Sequence, residues 1–194
     1  MIRNRQDLQH YLEADRLGLR RGTTSPTRYD EVWIFQRLLR RVEFLTNTSG
    51  GLFRNLLRKY WSWRLHEQSV RCGFEIPLNT FGPGLSIAHR GTLIVHPDAR
   101  IGANCRIHID VVIGTRPGPP PEPVPRIGNN CYIGPGAKIF GDVVLGDNLV
   151  VGANAVVDRS FPEGHMTIAG VPARKISDTP SDEYIIATRT RSNA

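Results

Sequence analysis

Every sixth residue from Val95 onward is a branched aliphatic: Val95, Ile101, Ile107 and Ile113, then Ile127, Ile133, Ile139, Leu145, Val151 and Val157. Gly follows this column at Gly102, Gly114, Gly128, Gly134, Gly146 and Gly152, and a second apolar residue stands four places after most of the aliphatics, as at Ala99, Cys105, Cys131, Ala137 and Ala155. A fixed short period marks a solenoid, whose coils bury their apolar side only against neighbouring coils. Six residues fit neither a helical turn nor a simple hairpin. They fit a very short strand plus a turn, three of which close one triangular coil of about 18 residues. Stacked coils then lie roughly 4.8 Å apart, the ordinary strand spacing. The aliphatic column lines the inside, and the glycines are expected to give the corners their backbone freedom.

The period does not reach the N-terminal part of the chain. Residues 1–72 carry helical spacing instead: Leu8, Tyr11 and Leu12 to a stop near Gly18, then Val32, Phe35, Leu38, Leu39, Val42 and Leu45 behind Asp30 as a cap. A third helix is expected over Leu52 to Val70, with Trp61, Trp63 and Leu65 as bulky contacts and Gly73 as terminator. This segment also holds the whole charge excess. It has 14 Arg or Lys against 7 Asp or Glu, while the remainder balances and the chain's net charge is +7. A basic surface can hold nucleic acid, an anionic membrane or an acidic partner, but solvated helix faces explain it equally simply. No nucleic-acid partner is expected.

The organisation is therefore an α-helical region over 1–72, a β-helix over 74–177 and an irregular, mobile tail over 178–194. One insertion interrupts the repeat. Between Gly114 and Ile127 runs Arg116 to Pro125, which is dense in proline. Proline lacks the N–H that a sheet needs, so 116–126 should leave the coil as a loop. No stretch approaches the roughly 20 apolar residues of a membrane span, and no apolar signal region opens the chain, so cytoplasmic residence is the expectation. Cys72, Cys105 and Cys131 are too few and too scattered for a disulfide framework, and two of them stand in the small-residue column as compact apolar fillers.

Several segments carry a resemblance to a known family. They are Gly84-Leu85-Ser86-Ile87-Ala88-His89, the run from Ile101 to Thr115, the run from Ile127 to Gly141, and Ala169-Gly170-Val171-Pro172-Ala173-Arg174 with Lys175-Ile176. Over Gly82 to Ser177, about half the chain, the sequence resembles the serine acetyltransferase branch of the hexapeptide-repeat acyltransferases. Its short helical region is similar to that of members encoded with surface-polysaccharide genes. The resemblance implies a mainly β fold, a left-handed parallel β-helix with an N-terminal α-helical cap. Left-handedness comes from the resemblance alone, because the usual crossover rule points the other way.

The resemblance also implies a chemistry. A His acts as general base on an acceptor hydroxyl, which attacks the acetyl thioester directly; the imidazole must titrate near neutrality and reach the hydroxyl. His89 aligns with that His and stands one period before Val95, in the aliphatic column. The orienting acid maps near Glu75, and His108 and Asp110 are candidates for acceptor contact. His96 is a weaker one. Acetyl-CoA as co-substrate is expected along Thr115, Gly134, Pro135 and Ala153, where small residues let its arm approach the main chain. Arg174 and Lys175 are placed for its phosphates. His89, His96 and His108 do not have the spacing of a zinc site, so no metal is expected.

These residues lead to an acetyl-CoA-dependent O-acetyltransferase, with serine as the favoured acceptor and a homotrimer, possibly a hexamer, as the assembly. Two departures from the family pattern motivate an alternative acceptor, a sugar hydroxyl in surface-polysaccharide biosynthesis. The family has Asp before the catalytic His where this chain has Ala88, and a second His where it has Val124. From a different class comes a non-catalytic trimeric scaffold with a basic helical cap.

Overall fold

The computed structural model describes residues 1–116 and 123–185; most of the proline run and the last nine residues lie outside that description. Three helices precede the strands: α1 (Arg5–Gly18), α2 (Glu31–Asn47) and α3 (Leu52–Cys72). Asn4 caps α1 by accepting the Asp7 N–H at 2.8 Å. Gly73 ends α3 at φ 77°, a left-handed conformation that other side chains resist. Asp30 precedes α2 without capping it. Its carboxylate accepts instead from the Thr27 N–H and hydroxyl at 2.9 and 2.8 Å and pairs with Arg21 at 2.9 Å. The buried indole of the cap is Trp33 in α2, whereas Trp63 is 56% exposed.

From Phe74 the chain winds into the expected left-handed parallel β-helix with its helical cap. One face stacks Phe74–Glu75, Leu93–Val95, Val111–Gly114, Lys138–Phe140 and Val156–Val157. A second stacks Arg100–Ile101, Arg126–Ile127 and Val144–Leu145, and a third runs from Ser86–Ile87 through Arg106–Ile107, Tyr132–Ile133 and Val150–Val151 to Thr167–Ala169. The period-six aliphatics pair with one another down each face, as in Val95 with Ile113 and Ile107 with Ile133, and all are buried. Arg174–Ser177 closes the stack as an antiparallel strand on Thr167–Ala169.

The glycines that follow the column do a different job from the one expected. The corners take their positive φ mainly from Asn104, Asp110, Asn130, Asn148 and Asn154, at 54–59°, with Gly84 and Gly136 holding the same stacked positions at 85° and 75°. Short polar side chains tolerate this region better than most. The glycines after the column keep ordinary φ, but most leave no room for a side chain. A Cβ on Gly128 would lie 2.8 Å from both the Asp147 nitrogen and the Gly146 carbonyl carbon of the next coil. Gly114 is the exception, with nothing within 4 Å.

The cap is tied to the first coil by ions. Arg40 of α2, 0% exposed, donates to Asp15 at 2.8 and 3.2 Å, to Glu43 at 3.1 Å, and to the carbonyls of Phe81 and Gly82 at 3.0 and 2.7 Å. Asp15 also accepts the Gly84 and Leu85 N–H groups at 2.9 Å, and Gln36 donates to the Leu85 carbonyl at 2.6 Å. Although burial alone opposes its charge, the two carboxylates hold the Arg40 guanidinium more firmly protonated than usual. Residues 178–185 likewise depart from the expected mobile tail. Ser181 donates its N–H to the Asn148 carbonyl and its hydroxyl to the Asn130 carbonyl, and Ile185 is buried.

Candidate active site

The registers of neighbouring coils locate one expanded corner. Ile87 pairs with Ile107 and Val95 with Ile113, so seven residues separate the first-coil pair where five separate the second. Ile87, not His89, therefore holds the column position. His89 stands in the two-residue enlargement and is exposed, which corrects its assignment to the aliphatic interior. Arg90 beside it pairs with Glu31 of α2 at 3.1 Å.

The adjacent coil answers with His108. Ala88, His108, Gly134 and Gly152 occupy one ladder position, each donating its N–H to the column carbonyl of the next coil, at Ile107, Ile133, Val151 and Ile168. Three of the four are Ala or Gly, so His108 alone places a large side chain on this edge. Its ring lies 6.1 Å from that of His89 and 5.1 Å from Tyr132, and Tyr132 lies 4.9 Å from Tyr184. His108 Nε2 is buried without a hydrogen-bond partner. Burial, then the charge of Arg106 and the neighbouring His89, lower its affinity for a proton and favour the neutral ring.

Beside this row of rings opens a cleft of about 440 Å³ on the outer side of the third face. Its functional lining is Arg20 and Arg21 after α1, Arg106, His108, Tyr132 and Tyr184, with Glu183 at the edge. Arg106 is held by Ser86, whose hydroxyl accepts from Nη1 at 3.1 Å and donates to the Gly18 carbonyl at 2.9 Å. Burial first, and the nearby Arg20 charge, pull the Arg106 guanidinium below its ordinary range. Burial also raises the Tyr132 phenol. Arg106 and Tyr132 each stand just before a column aliphatic, where outward side chains are ordinary, so the sequence does not single them out, and Tyr184 falls in the expected tail.

The other candidates disperse. Glu75 is exposed beside Ile94 on the first face, and no hydrogen bond or ion pair joins it to His89 among the described residues. Asp110 is exposed at φ 59°, with its carbonyl accepting from Lys138. His96 accepts the Asp98 N–H at 3.1 Å and serves its own turn. Gly134, Pro135 and Ala153 share the corner beyond His108, whereas Thr115 follows Val111–Gly114 at the opposite end of the first face. Arg174 and Lys175 are exposed on the closing strand, Lys175 paired with Asp178. Val124 lies next to the undescribed part of loop 116–126.

Neither thiol nor metal chemistry has visible support. Burial drives the Cys131 thiol up to about 12 and Cys105 well above its usual range, so neither offers a ready thiolate. Among the described residues no three His, Cys, Asp or Glu side chains gather as a metal site, and no helix is long and apolar enough to cross a membrane.

Comparison with known proteins agrees with this architecture. Residues 125–159 match the family described as bacterial transferase hexapeptide (six repeats). A serine acetyltransferase of Synechococcus elongatus is 32% identical over 112 residues, covering 57% of this chain and 46% of that protein. One from Helicobacter pylori is 34% identical over 123 residues, covering 62% of this chain and 71% of that protein. The crystal structure of the Brucella abortus serine acetyltransferase with coenzyme A superposes with a TM-score of 0.70 at 25% identity, over 90% of this chain and 70% of that one. The chain spans about half the length of the Synechococcus protein and, at 54%, of a Staphylococcus xylosus relative. With two thirds of the Helicobacter protein exceeded at this identity, the chain belongs to the serine acetyltransferase family of hexapeptide-repeat transferases.

Proposed function

We propose that this chain is an acetyl-CoA-dependent O-acetyltransferase of the serine O-acetyltransferase type, converting acetyl-CoA and L-serine to O-acetylserine and coenzyme A. The observation that carries the reading is the placement of His89. It is an exposed imidazole on an enlarged corner, one ring away from the half-buried His108, whose Nε2 is buried without a partner, and next in sequence to Ala88 of the cleft lining. His89 accepts the proton of the acceptor hydroxyl as its oxygen attacks the acetyl carbonyl. The tetrahedral intermediate then expels the coenzyme A sulfur, which takes the proton back from the imidazolium. The small residues Gly134, Pro135 and Ala153 keep the neighbouring edge low enough for an extended thioester arm, and backbone N–H groups along such an edge can stabilise an oxyanion. Arg174 and Lys175 are assigned to the coenzyme's phosphates.

We place the protein in the cytoplasm, where its three buried free thiols remain reduced, and assign it a homotrimer, with hexamers open to the same subunits. Among the described residues Glu75 makes no hydrogen bond or ion pair with His89, and Asp110 is not in the cleft lining, so acceptor contacts are assigned to His108 first. A second acceptor class, a sugar hydroxyl, is favoured by one observation: the cleft of about 440 Å³ with a Tyr132–Tyr184 wall is roomy for serine. The test is coenzyme A release from acetyl-CoA by purified protein, followed with a thiol reagent. Serine-dependent release that His89→Ala abolishes supports the assignment. Release with sugars but not with serine transfers it to the second class, and no release with either rejects acetyl transfer.

A further inference from the structure

The cleft beside His108 collects positive charge that is only partly ion-paired among the described residues. Arg106 and Arg20 face it together, and neither has an ion pair among the described residues, whereas Arg21 is occupied by Asp30. Glu183 is the one carboxylate in the lining, and it too pairs with none of them among the described residues. Two guanidinium groups held near each other repel. Here the repulsion is built in, since Ser86 and the Gly18 carbonyl fix Arg106 in place. Directly above it, His108 Nε2 is buried and has no partner, a second polar atom in want of a ligand. A planar guanidinium presents paired N–H donors that fit a carboxylate or phosphate, which a single ammonium does not.

The chemistry of the rest of the cleft complements that charge. Tyr132 and Tyr184 stand 4.9 Å apart as an amphipathic wall, apolar in the ring and polar at the hydroxyl. The rings continue through His108 to His89, so a molecule anchored at Arg106 points its far end toward the general base. Resting on the acetyl-transfer reading above, we infer that Arg106, supported by Arg20, forms an anion subsite for the acceptor. The molecule acetylated therefore carries a carboxylate or phosphate in addition to its hydroxyl. The group could belong to an amino acid such as serine or to an acidic or phosphorylated sugar, and the chemistry at Arg106 is shared.

The experiment pairs each anionic acceptor with a neutral counterpart: L-serine with its methyl ester, and D-glucuronate and glucose 6-phosphate with D-glucose. Coenzyme A release gives kcat and KM, and calorimetry gives binding, for the wild type, Arg106→Gln, Arg106→Lys and Arg20→Gln. A charge-assisted hydrogen bond is worth about 10- to 100-fold in affinity. The charged member of one pair should therefore exceed its counterpart by about that factor in kcat/KM. Arg106→Gln should remove the advantage through the acceptor KM, Arg106→Lys should restore part of it, and the acetyl-CoA KM should stay within about twofold. Arg20 is exposed, so Arg20→Gln should lower the same preference without the folding risk of the Arg106 variants. Whichever pair shows the preference identifies the source of the anion. Equal use of charged and neutral acceptors overturns the inference, as does an acetyl-CoA KM that rises as much as the acceptor's. Anion binding lost in Arg106→Gln but without turnover of any acceptor supports the subsite and rejects acetyl transfer. Absence of both turnover and binding rejects the two together.

Discussion

Arg40→Met should come close to detaching the helical cap from the first coil. The substitution keeps a long, flexible stem in a closely packed position and removes only the charged head. Asp15 and Glu43, with side chains 3% and 2% exposed, then remain buried as carboxylates without their cation. Breaking a buried ion pair from one side costs about 3–5 kcal/mol, because the stranded charge has lost its compensation. The carbonyls of Phe81 and Gly82 also lose donors, each bond to a charged group being worth about 1.5–3 kcal/mol. These contributions overlap, so a loss of about 4 kcal/mol is the reasonable central figure. Set against a total stability of about 5–15 kcal/mol, that is a large fraction. The assay is urea unfolding followed by tryptophan emission, to which Trp33, buried in α2, contributes. A variant combining Arg40→Met with Asp15→Asn and Glu43→Gln should recover part of the loss. An Asn at 15 can still accept the Gly84 and Leu85 N–H groups, and no buried charge is left behind. If Arg40→Met alone costs less than about 1 kcal/mol, the cap is not held by this network and the reasoning fails.

Other expectations are simpler to test. His89→Ala should lower kcat by about 10²- to 10⁴-fold with the thermal midpoint unchanged, since the side chain is exposed; retained turnover would remove His89 from the mechanism. His108 binds its proton less readily in the folded chain than at the ordinary value of about 6.5, so the unfolded chain takes up more protons as pH falls through and below that value. Stability should accordingly decline with acidification in this window, and His108→Gln should flatten the decline; an unaltered slope of thermal midpoint against pH would refute the assignment. Gly128→Ala should cost about 1–3 kcal/mol in denaturant titrations because its Cβ meets the next coil, whereas Gly114→Ala, which meets nothing, should change stability by no more than about 0.5 kcal/mol; equal effects would contradict the close-approach account.

What could be read in the sequence follows from which interactions repeat. The columns through Val95, Ile107 and Ile133 are visible because every coil imposes the same burial on the same position, so the error at one site is corrected by its neighbours. That averaging also misplaced His89. A strict count of six assigns it to the interior, but register is set by pairing, and pairing gives the interior to Ile87. The role of the glycines after the column is hidden for a related reason: glycines and asparagines both recur at the corners, and only backbone angles and inter-coil distances separate those that turn the chain from those that let coils approach. Arg40 left no periodic trace at all. It joins Asp15, Glu43 and carbonyls on the first coil, 25 to 42 residues apart in sequence for its distant partners, and a charged residue in an apolar helical stripe reads as a solvated position.

The cleft illustrates the same limit where function is concerned. Arg20 comes from the turn after α1, Arg106 and Tyr132 from successive coils, and Tyr184 from the segment that folds back over them. None of the four breaks a motif, because outward positions on a β-helix accept almost any side chain. Their convergence depends on two docking events, the cap on the first coil and residues 178–185 on the third face. Arg40 and Ser181 secure these respectively, and neither residue touches the cleft. Loosening the Ser181 contact should therefore weaken acceptor binding without displacing His89, whose corner lies between paired strands and is tied to the cap through Arg90 and Glu31. Under the proposed function, an enlargement of the repeat would position the general base, and the two appendages, which carry no repeat, would shape the surface that chooses what the base acts upon.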